Sequence, residues 1–291
     1  MPEFTLNAKT RDHGDLFAGL FVAACWVAMA VVSGAGLWVL GDLLYRGMGS
    51  LTPGFVFGSP SDAGRSGGVR PMIVSTGLAM AVCVSIVAPA GLLASVWLSE
   101  FSFERGRVGS AVRVSLDVLA GVPSIVFGLF GYAFFCVTLG LGPSVLAGGL
   151  TLACMVLPLM IRLSEQSLRS VPVSVRQAAD GLALSRWATL RRAVLPVAMP
   201  GLISATMLSL ARALSETAAL LFTAGYVMRT PVSLGDPGRV LSVHIYDLAM
   251  NVPGGDANAY ASALVLVAAL LLVAAGGAAL AGRRADFRRG L

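Results

Sequence analysis

Long stretches of this sequence contain no charged residue, and a chain built that way has few folds open to it. The runs extend from Leu16 to Gly41, Pro71 to Ser99, Val118 to Ile161, Ala193 to Ala211, Thr217 to Met228 and Ala257 to Gly282. A helix crossing the hydrocarbon core needs about 20 apolar residues. The Val118–Ile161 run is long enough for two such helices, and the turn sequence Gly140-Leu141-Gly142-Pro143 divides it. The Ala193 and Thr217 runs read as one span interrupted by Arg212 and Glu216. The expectation is an all-α polytopic membrane protein with six transmembrane helices. With 12% charged residues and a mean hydropathy of +0.82, a water-soluble fold is excluded.

Orientation follows from the basic residues, because positively charged loops stay in the cytoplasm. With the N-terminus inside, the inner segments carry Lys9, Arg11, Arg105, Arg107, Arg113, Arg162, Arg169, Arg176, Arg186, Arg191, Arg192 and the four arginines after Gly282. The outer loops carry only Arg46, Arg65, Arg70, Arg229 and Arg239. Both termini are therefore expected in the cytoplasm of a cell-membrane protein. The layout is a tail over 1–15, a six-helix domain over 16–282 and a basic tail over 283–291. The first apolar run exceeds the roughly 7–15 residues of a signal peptide and is expected to remain. The Gly49–Gly68 loop reads as an extended external connection, and Val240–Met250 as a short helix lying at the membrane surface.

Several chemistries are excluded by simple absences. Lys9 is the only lysine, so no glycine turn is followed by the lysine of a nucleotide-binding P-loop. Cys25, Cys83, Cys136 and Cys154 lie in apolar runs without paired spacing and read as packing residues. His13 and His244 stand apart from any nucleophile. No catalytic residues, cofactor or metal site are expected, which leaves transport, channel formation or scaffolding.

Two segments separate those choices. The first runs over 171–200, between the fourth and fifth helices. It is helix-compatible between Pro172 and Pro196 and carries Arg176, Arg186, Arg191 and Arg192. A basic loop held by anionic lipid accounts for the charge, but not for the spacing of its other residues. The second is the fifth helix, where Gly201, Ala205, Leu208, Arg212, Ser215, Glu216 and Ala219 share one face at a 3.6-residue period. Such a stripe of small and polar residues faces a bundle interior. Arg212 lies about 18 Å along the helix from Pro200, near the bilayer midplane, where a charge costs at least about 2.5–3.5 kcal/mol and marks a functional candidate. Glu216, one turn on, can neutralise it. The alternatives are a self-satisfied ion pair that helps packing and an anion site in which the planar guanidinium matches two oxyanion oxygens. Among other residues, Pro123 and Gly128 are candidates for a bend in the third helix. Arg113 and Asp117 read as an i,i+4 pair, and Pro158, Arg162 and Glu165 as structural.

The 171–200 segment resembles the EAA loop of ABC importer permeases, which reads E-A-A, three residues, Gly, nine residues, I-x-L-P. Gln177-Ala178-Ala179 takes the first place, Ala183 stands where the turn glycine belongs, with Gly181 two residues earlier, and Ala193-Val194-Leu195-Pro196 closes the motif. The resemblance implies a coupling helix, carrying Arg186 and Trp187 as well, that docks on a cytosolic ATPase. The fifth helix is more specific. ARALSETAALL (211–221) resembles the ARALGETAPLL stretch of the phosphate ABC importer permeases of the PstA type, with Ser215 for the family glycine and Ala219 for its proline. GVPSIVFGLFG (121–131), the run from Leu150 to Pro172, and Gly67-Gly68 before the second helix are similar to that family too. It implies an importer of inorganic phosphate with Arg212, Ser215 and Glu216 in the substrate path. The implied partners are a sister permease of the PstC type, PstB-type ATPase subunits that bind the ATP, an external PstS-type phosphate-binding protein and membrane lipid, with no nucleic acid. A permease for sulfate or molybdate is the alternative within transporters, and a channel or scaffold the alternative outside them.

Overall fold

The computed structural model describes the backbone of residues 9–102 and 106–289 and the side chains of 18–102 and 106–282. The expected tails, with Lys9, Arg11, His13 and the terminal arginines, and Arg105 lie outside the described side chains.

The described residues are mostly helical. In order the elements are α1 (Lys9–Gly47), α2 (Pro53–Phe57), a two-residue hairpin of β1 (Pro60–Ser61) and β2 (Ser66–Gly67), α3 (Arg70–Val96), α4 (Arg107–Ala120), α5 (Ser124–Gly131), α6 (Val145–Arg169), α7 (Val173–Gly181), α8 (Arg186–Thr189), α9 (Leu195–Leu214), α10 (Ala218–Thr223), α11 (Leu241–Met250) and α12 (Asp256–Arg289). π-Helical turns extend α3 over Trp97–Phe101 and α5 over Tyr132–Thr138, and join α8 to α9 over Leu190–Val194. Among the described residues five helices are long and apolar enough to cross a membrane, and α4 with α5 and its extension form a bent pair that makes a sixth if counted as one span.

That third span departs from expectation. It bends by 97° where Gly121-Val122-Pro123 separate α4 from α5. Pro123 does sit at the bend, since proline restricts the residue before it to extended backbone. Gly128 does not: it lies in straight helix against α10, where a β-carbon would meet the Ala218 carbonyl oxygen at 3.0 Å. Its role is close helix approach.

α6 occupies the centre. Val145, Leu152, Val156 and Met160 pack with Ala79, Cys83 and Val87 of α3, Ala205 and Ala213 of α9, and Ala219 and Leu220 of α10. Gly149 brings α6 against α3 so closely that a β-carbon would lie 2.9 Å from the Ala79 carbonyl oxygen. Hydrocarbon gives helices no hydrophobic drive to associate, so small residues that let backbones approach take that part. Cys83 and Cys136 are buried as expected, but Cys25 is exposed on α1, a helix that packs mainly along α12 and turns most of its surface outward. The Val240–Met250 segment also differs: α11 buries Leu241, Val243, His244 and Leu248 within the protein instead of laying an apolar face on a membrane.

α7 ends in a turn whose geometry locates the missing glycine. Ala183 has φ +51°, in the left-handed region. Its N–H donates to the Asp180 carbonyl (2.9 Å), and the Leu184 N–H donates to Ala179 (3.1 Å), the paired bonds of a Schellman C-cap. A β-carbon costs about 1–2 kcal/mol in that conformation. Gly181 sits in the helix with open space where a β-carbon would project. Ala183→Gly should therefore stabilise the segment by about 1 kcal/mol, and Gly181→Ala by up to about 1 kcal/mol. Thermal unfolding of the purified protein reads both, and a loss of stability in Ala183→Gly contradicts the assignment.

Candidate functional site

The expected continuous fifth helix is two. α9 stops at Leu214, Ser215-Glu216-Thr217 form a break, and α10 resumes at Ala218. Neither glycine nor proline lies in the break; hydrogen bonds account for it. The Ser215 hydroxyl lies 3.1 Å from the carbonyls of both Ala211 and Arg212, closing off the end of α9. The Ser242 hydroxyl of α11 donates to the Glu216 carbonyl at 2.7 Å. The Leu220 N–H, which would bond Glu216 in an unbroken helix, donates to Thr217 at 3.1 Å. Side chains thus satisfy groups that the interruption frees, the condition for non-helical backbone at membrane depth.

The break sets the two charges apart in environment. Glu216 is buried, with a side chain 7% exposed, whereas that of Arg212 is 56% exposed on the surface of the chain. Nη2 of Arg212 stands 3.8 Å from Oε2 of Glu216, an ion pair too long for a hydrogen bond. Ser215 and Leu208 share the exposed face with Arg212, while Ala205 and Ala219 turn inward, so the single stripe expected from Gly201 to Ala219 does not persist across the break. The arrangement leaves a guanidinium fork open to a further acceptor beside a buried carboxylate that holds it from one side.

The 171–200 segment occupies the end of the bundle where α6 finishes and α9 begins. Gln177, Ala178, Gly181, Ala183, Arg186, Trp187 and Pro196 are exposed and Leu195 half-buried, whereas Ala179 is buried against the chain itself. Leu182 and Trp187 leave a large apolar surface uncovered around the turn. Arg176 fastens the segment to the bundle by a forked pair with Glu100 of the α3 extension, its Nη2 donating to Oε1 at 2.8 Å, and by a bond to the Leu168 carbonyl. Burial alone would lower the Arg176 pKa; the hydrogen bond to Glu100 more than offsets this and raises it. Glu100 escaped the sequence reading, although its place as the first charge after a 29-residue uncharged run is a signal that a helix end seeks a cation.

At the same end Arg113 does not pair with Asp117. Its Nε donates to Glu165 at 2.7 Å and its Nη2 to the Leu98 carbonyl at 2.9 Å, while Asp117 accepts from Arg162. Glu165 also receives Arg169 at 3.0 Å. The i,i+4 expectation fails because a buried carboxylate competes better for arginine than an exposed one.

At the opposite end α11 closes over the break. Its Ser242 holds Glu216, the Leu241 N–H donates to the Thr76 hydroxyl at 2.8 Å, and Arg239 bonds Asp247 at 2.8 Å and the Tyr226 carbonyl at 3.2 Å. His244 is buried beside them with Nδ1 unpartnered. Burial first, and then the Arg239 charge, push its pKa down to about 4, with Asp247 opposing.

Residues 88–285 match the family of binding-protein-dependent transport system inner membrane components. The chain belongs to this family. It is thus a multi-pass membrane permease of an ABC importer, the kind of subunit that works with an ATPase and a substrate-binding protein. It is 34% identical over 260 residues to the phosphate transport system permease protein PstA 2 of Mycobacterium bovis, covering 87% of this chain and 84% of that one. To the phosphate transport system permease protein PstA of Pasteurella multocida it is 32% identical over 241 residues, 81% of this chain and 84% of the other. A probable ABC transporter permease protein of Bacillus subtilis, YqgI, is 28% identical over 282 residues, 92% and 94% of the two chains. The fold is shared with the inward-facing MetNI methionine ABC transporter at a TM-score of 0.57 and 17% identity, over 74% of this chain and 94% of that one.

The permease carries a pH dependence in its α11 cap. His244 is neutral when folded and binds a proton more readily when exposed, so its contribution to stability is full above pH 6.5 and is lost as pH falls toward 4. The slope is at most about 1.4 kcal/mol per pH unit. Protection of the α11 amides relative to their intrinsic exchange rates should fall over that interval and His244→Leu should flatten the response; an equal fall in the variant contradicts it.

Proposed function

We propose that this permease imports inorganic phosphate, with Arg212 as the anion contact in the translocation path. Its partners would be a sister PstC-type permease across that path, cytosolic PstB-type ATPase subunits that bind the ATP, and an external PstS-type phosphate-binding protein. The observation that carries the reading is the open guanidinium of Arg212 at the helix break, held at 3.8 Å by buried Glu216 instead of being consumed by it. The PstA relatives support phosphate as the anion.

The arginine-rich end then faces the cytoplasm, with both termini, and the 171–200 segment is the ATPase coupling element. Its exposed face, made of Gln177, Ala178, Gly181, Ala183, Arg186 and Trp187, is the docking surface. Leu195 and Pro196 begin the helix that carries the contact to Arg212, and Ala179 serves inside the chain. Ala183 holds the left-handed conformation that a glycine adopts without strain.

In the assembled, reconstituted transporter, Arg212→Gln should abolish phosphate uptake while the subunits still co-purify. Arg212→Lys should restore at most a minor part, because an ammonium keeps the charge and loses the fork. Sulfate and molybdate as competitors identify the anion. Normal uptake in a variant with Arg212 and Glu216 both replaced by leucine overturns the reading.

A further inference from the structure

Between α3, α9 and α12 lies a cavity of about 650 Å³, whose wall carries Gly77 and Met80 of α3, Leu210 and Leu214 of α9, and Val265 and Ala269 of α12, among others. Gly77 and Ala81 on that wall are exposed, so the cavity is a groove open on the flank of the chain. Its two hydroxyl groups are already committed. Thr76 donates to the Met72 carbonyl at 2.7 Å and accepts from the Leu241 N–H at 2.8 Å, and Ser85 donates to the Val82 carbonyl at 2.8 Å. What remains is apolar surface set between three helices long enough to cross a membrane.

The surroundings say what fits there. At 3.6 residues per turn, Leu210 and Leu214 lie about 200° around α9 from Arg212, so the groove faces away from the surface assigned above to the translocation path. Where α1 meets α12, a β-carbon on Gly47 would lie 2.9 Å from the Tyr260 carbonyl oxygen. Tyr260 is on the side of α12 away from Val265 and Ala269, so α1 docks elsewhere on that helix. Along α3 the groove follows the chain from Ile73 to Ser85, about 18 Å. One leaflet contributes about 15 Å to a hydrocarbon core, and the groove is thus of the length of a single acyl chain. Arg70, the first residue of α3, is exposed and shares a helix face with Ile73, Gly77 and Val84, one turn beyond the groove's end. It borders the uncharged run of α3, the level at which a basic side chain reaches the lipid phosphates.

We propose that this groove seats one acyl chain of an anionic phospholipid, with the lipid phosphate against the Arg70 guanidinium. A planar fork suits the phosphate oxygens, and the groove below it offers hydrocarbon and no free polar partner. The site stands whatever the permease imports.

Phosphatidylglycerol carrying a photoactivatable diazirine midway along one chain tests this in phosphatidylcholine vesicles that hold the assembled transporter, with adducts mapped by mass spectrometry. Adducts should concentrate on residues 77–84 and 265–273 and exceed those on exposed Val32 and Trp38 of α1. Phosphatidylcholine with the same diazirine should give about fivefold fewer groove adducts, the preference that one arginine at the surface gives an anionic headgroup. Arg70→Gln should bring the two lipids level. A β-carbon built on Gly77 meets no atom within 4 Å, so Gly77→Leu fills the groove without displacing its neighbours and removes a residue unfavourable in a helix interior. Groove adducts should then be lost while those on α1 persist; where that variant fails to assemble, Ala81→Leu on the same wall serves. Groove adducts that survive both substitutions, or that merely equal those on α1, reduce the groove to bulk lipid contact and overturn the site. Labelling in the isolated chain that disappears in the assembled transporter shows a partner subunit covering the groove and overturns it as well. Equal labelling by the two lipids in the native chain contradicts the anionic headgroup.

Discussion

A helix in hydrocarbon can be interrupted only where other groups satisfy the backbone that the interruption frees. The bond from the Ser242 hydroxyl to the Glu216 carbonyl meets that condition, and the rest of the candidate site depends on it. Because Glu216 is bonded through its main chain to α11, α9 ends at Leu214 and α10 starts at Ala218. The carboxylate is then carried inward and Arg212 is left on the outer face. An unbroken helix would place both residues one turn apart on one surface, close enough to neutralise each other fully. Helix α11 therefore acts at a distance on the arginine that it does not touch.

The opposite end is organised by the cost of burying carboxylates. Glu165 and Glu100 are both largely removed from solvent, and each draws arginines from elements remote in sequence: Arg113 across 52 residues to Glu165, and Arg176 across 76 to Glu100. Breaking such a pair costs several kcal/mol because a buried charge is left uncompensated. These bonds tie α4 to α6 and α7 to α3, and they give the exposed turn at Ala183 a rigid base. That turn is connected to α9 through α8 and the π-helical join at Leu190–Val194.

The helical, multi-span character of the chain was legible in the sequence because it is local: an uncharged run of about 20 residues carries its own physical meaning. The bend at Gly121–Pro123 was half legible, since Pro123 restricts its predecessor whatever surrounds it, while Gly128 answers only to a neighbour on α10. The break at Ser215–Thr217 was hidden. Its sequence is helix-compatible, and the hydroxyl that stabilises the break lies 26 residues away. The same holds for Arg113, whose nearest acid in sequence is Asp117 and whose partner in space is Glu165. A 3.6-residue period ranks neighbours on one helix and says nothing about a competing carboxylate on another.

The central claim is that the fold keeps Arg212 free to bind an oxyanion while Glu216 stays anchored to α11. The direct measurement is a structure of the assembled transporter trapped with its ATPases closed in the presence of phosphate. Oxyanion density within hydrogen-bond distance of the Arg212 guanidinium, with Ser242 still on the Glu216 carbonyl, is the predicted result. Arg212 drawn into direct hydrogen bonds with Glu216 along a continuous helix, and the anion bound elsewhere, would contradict it.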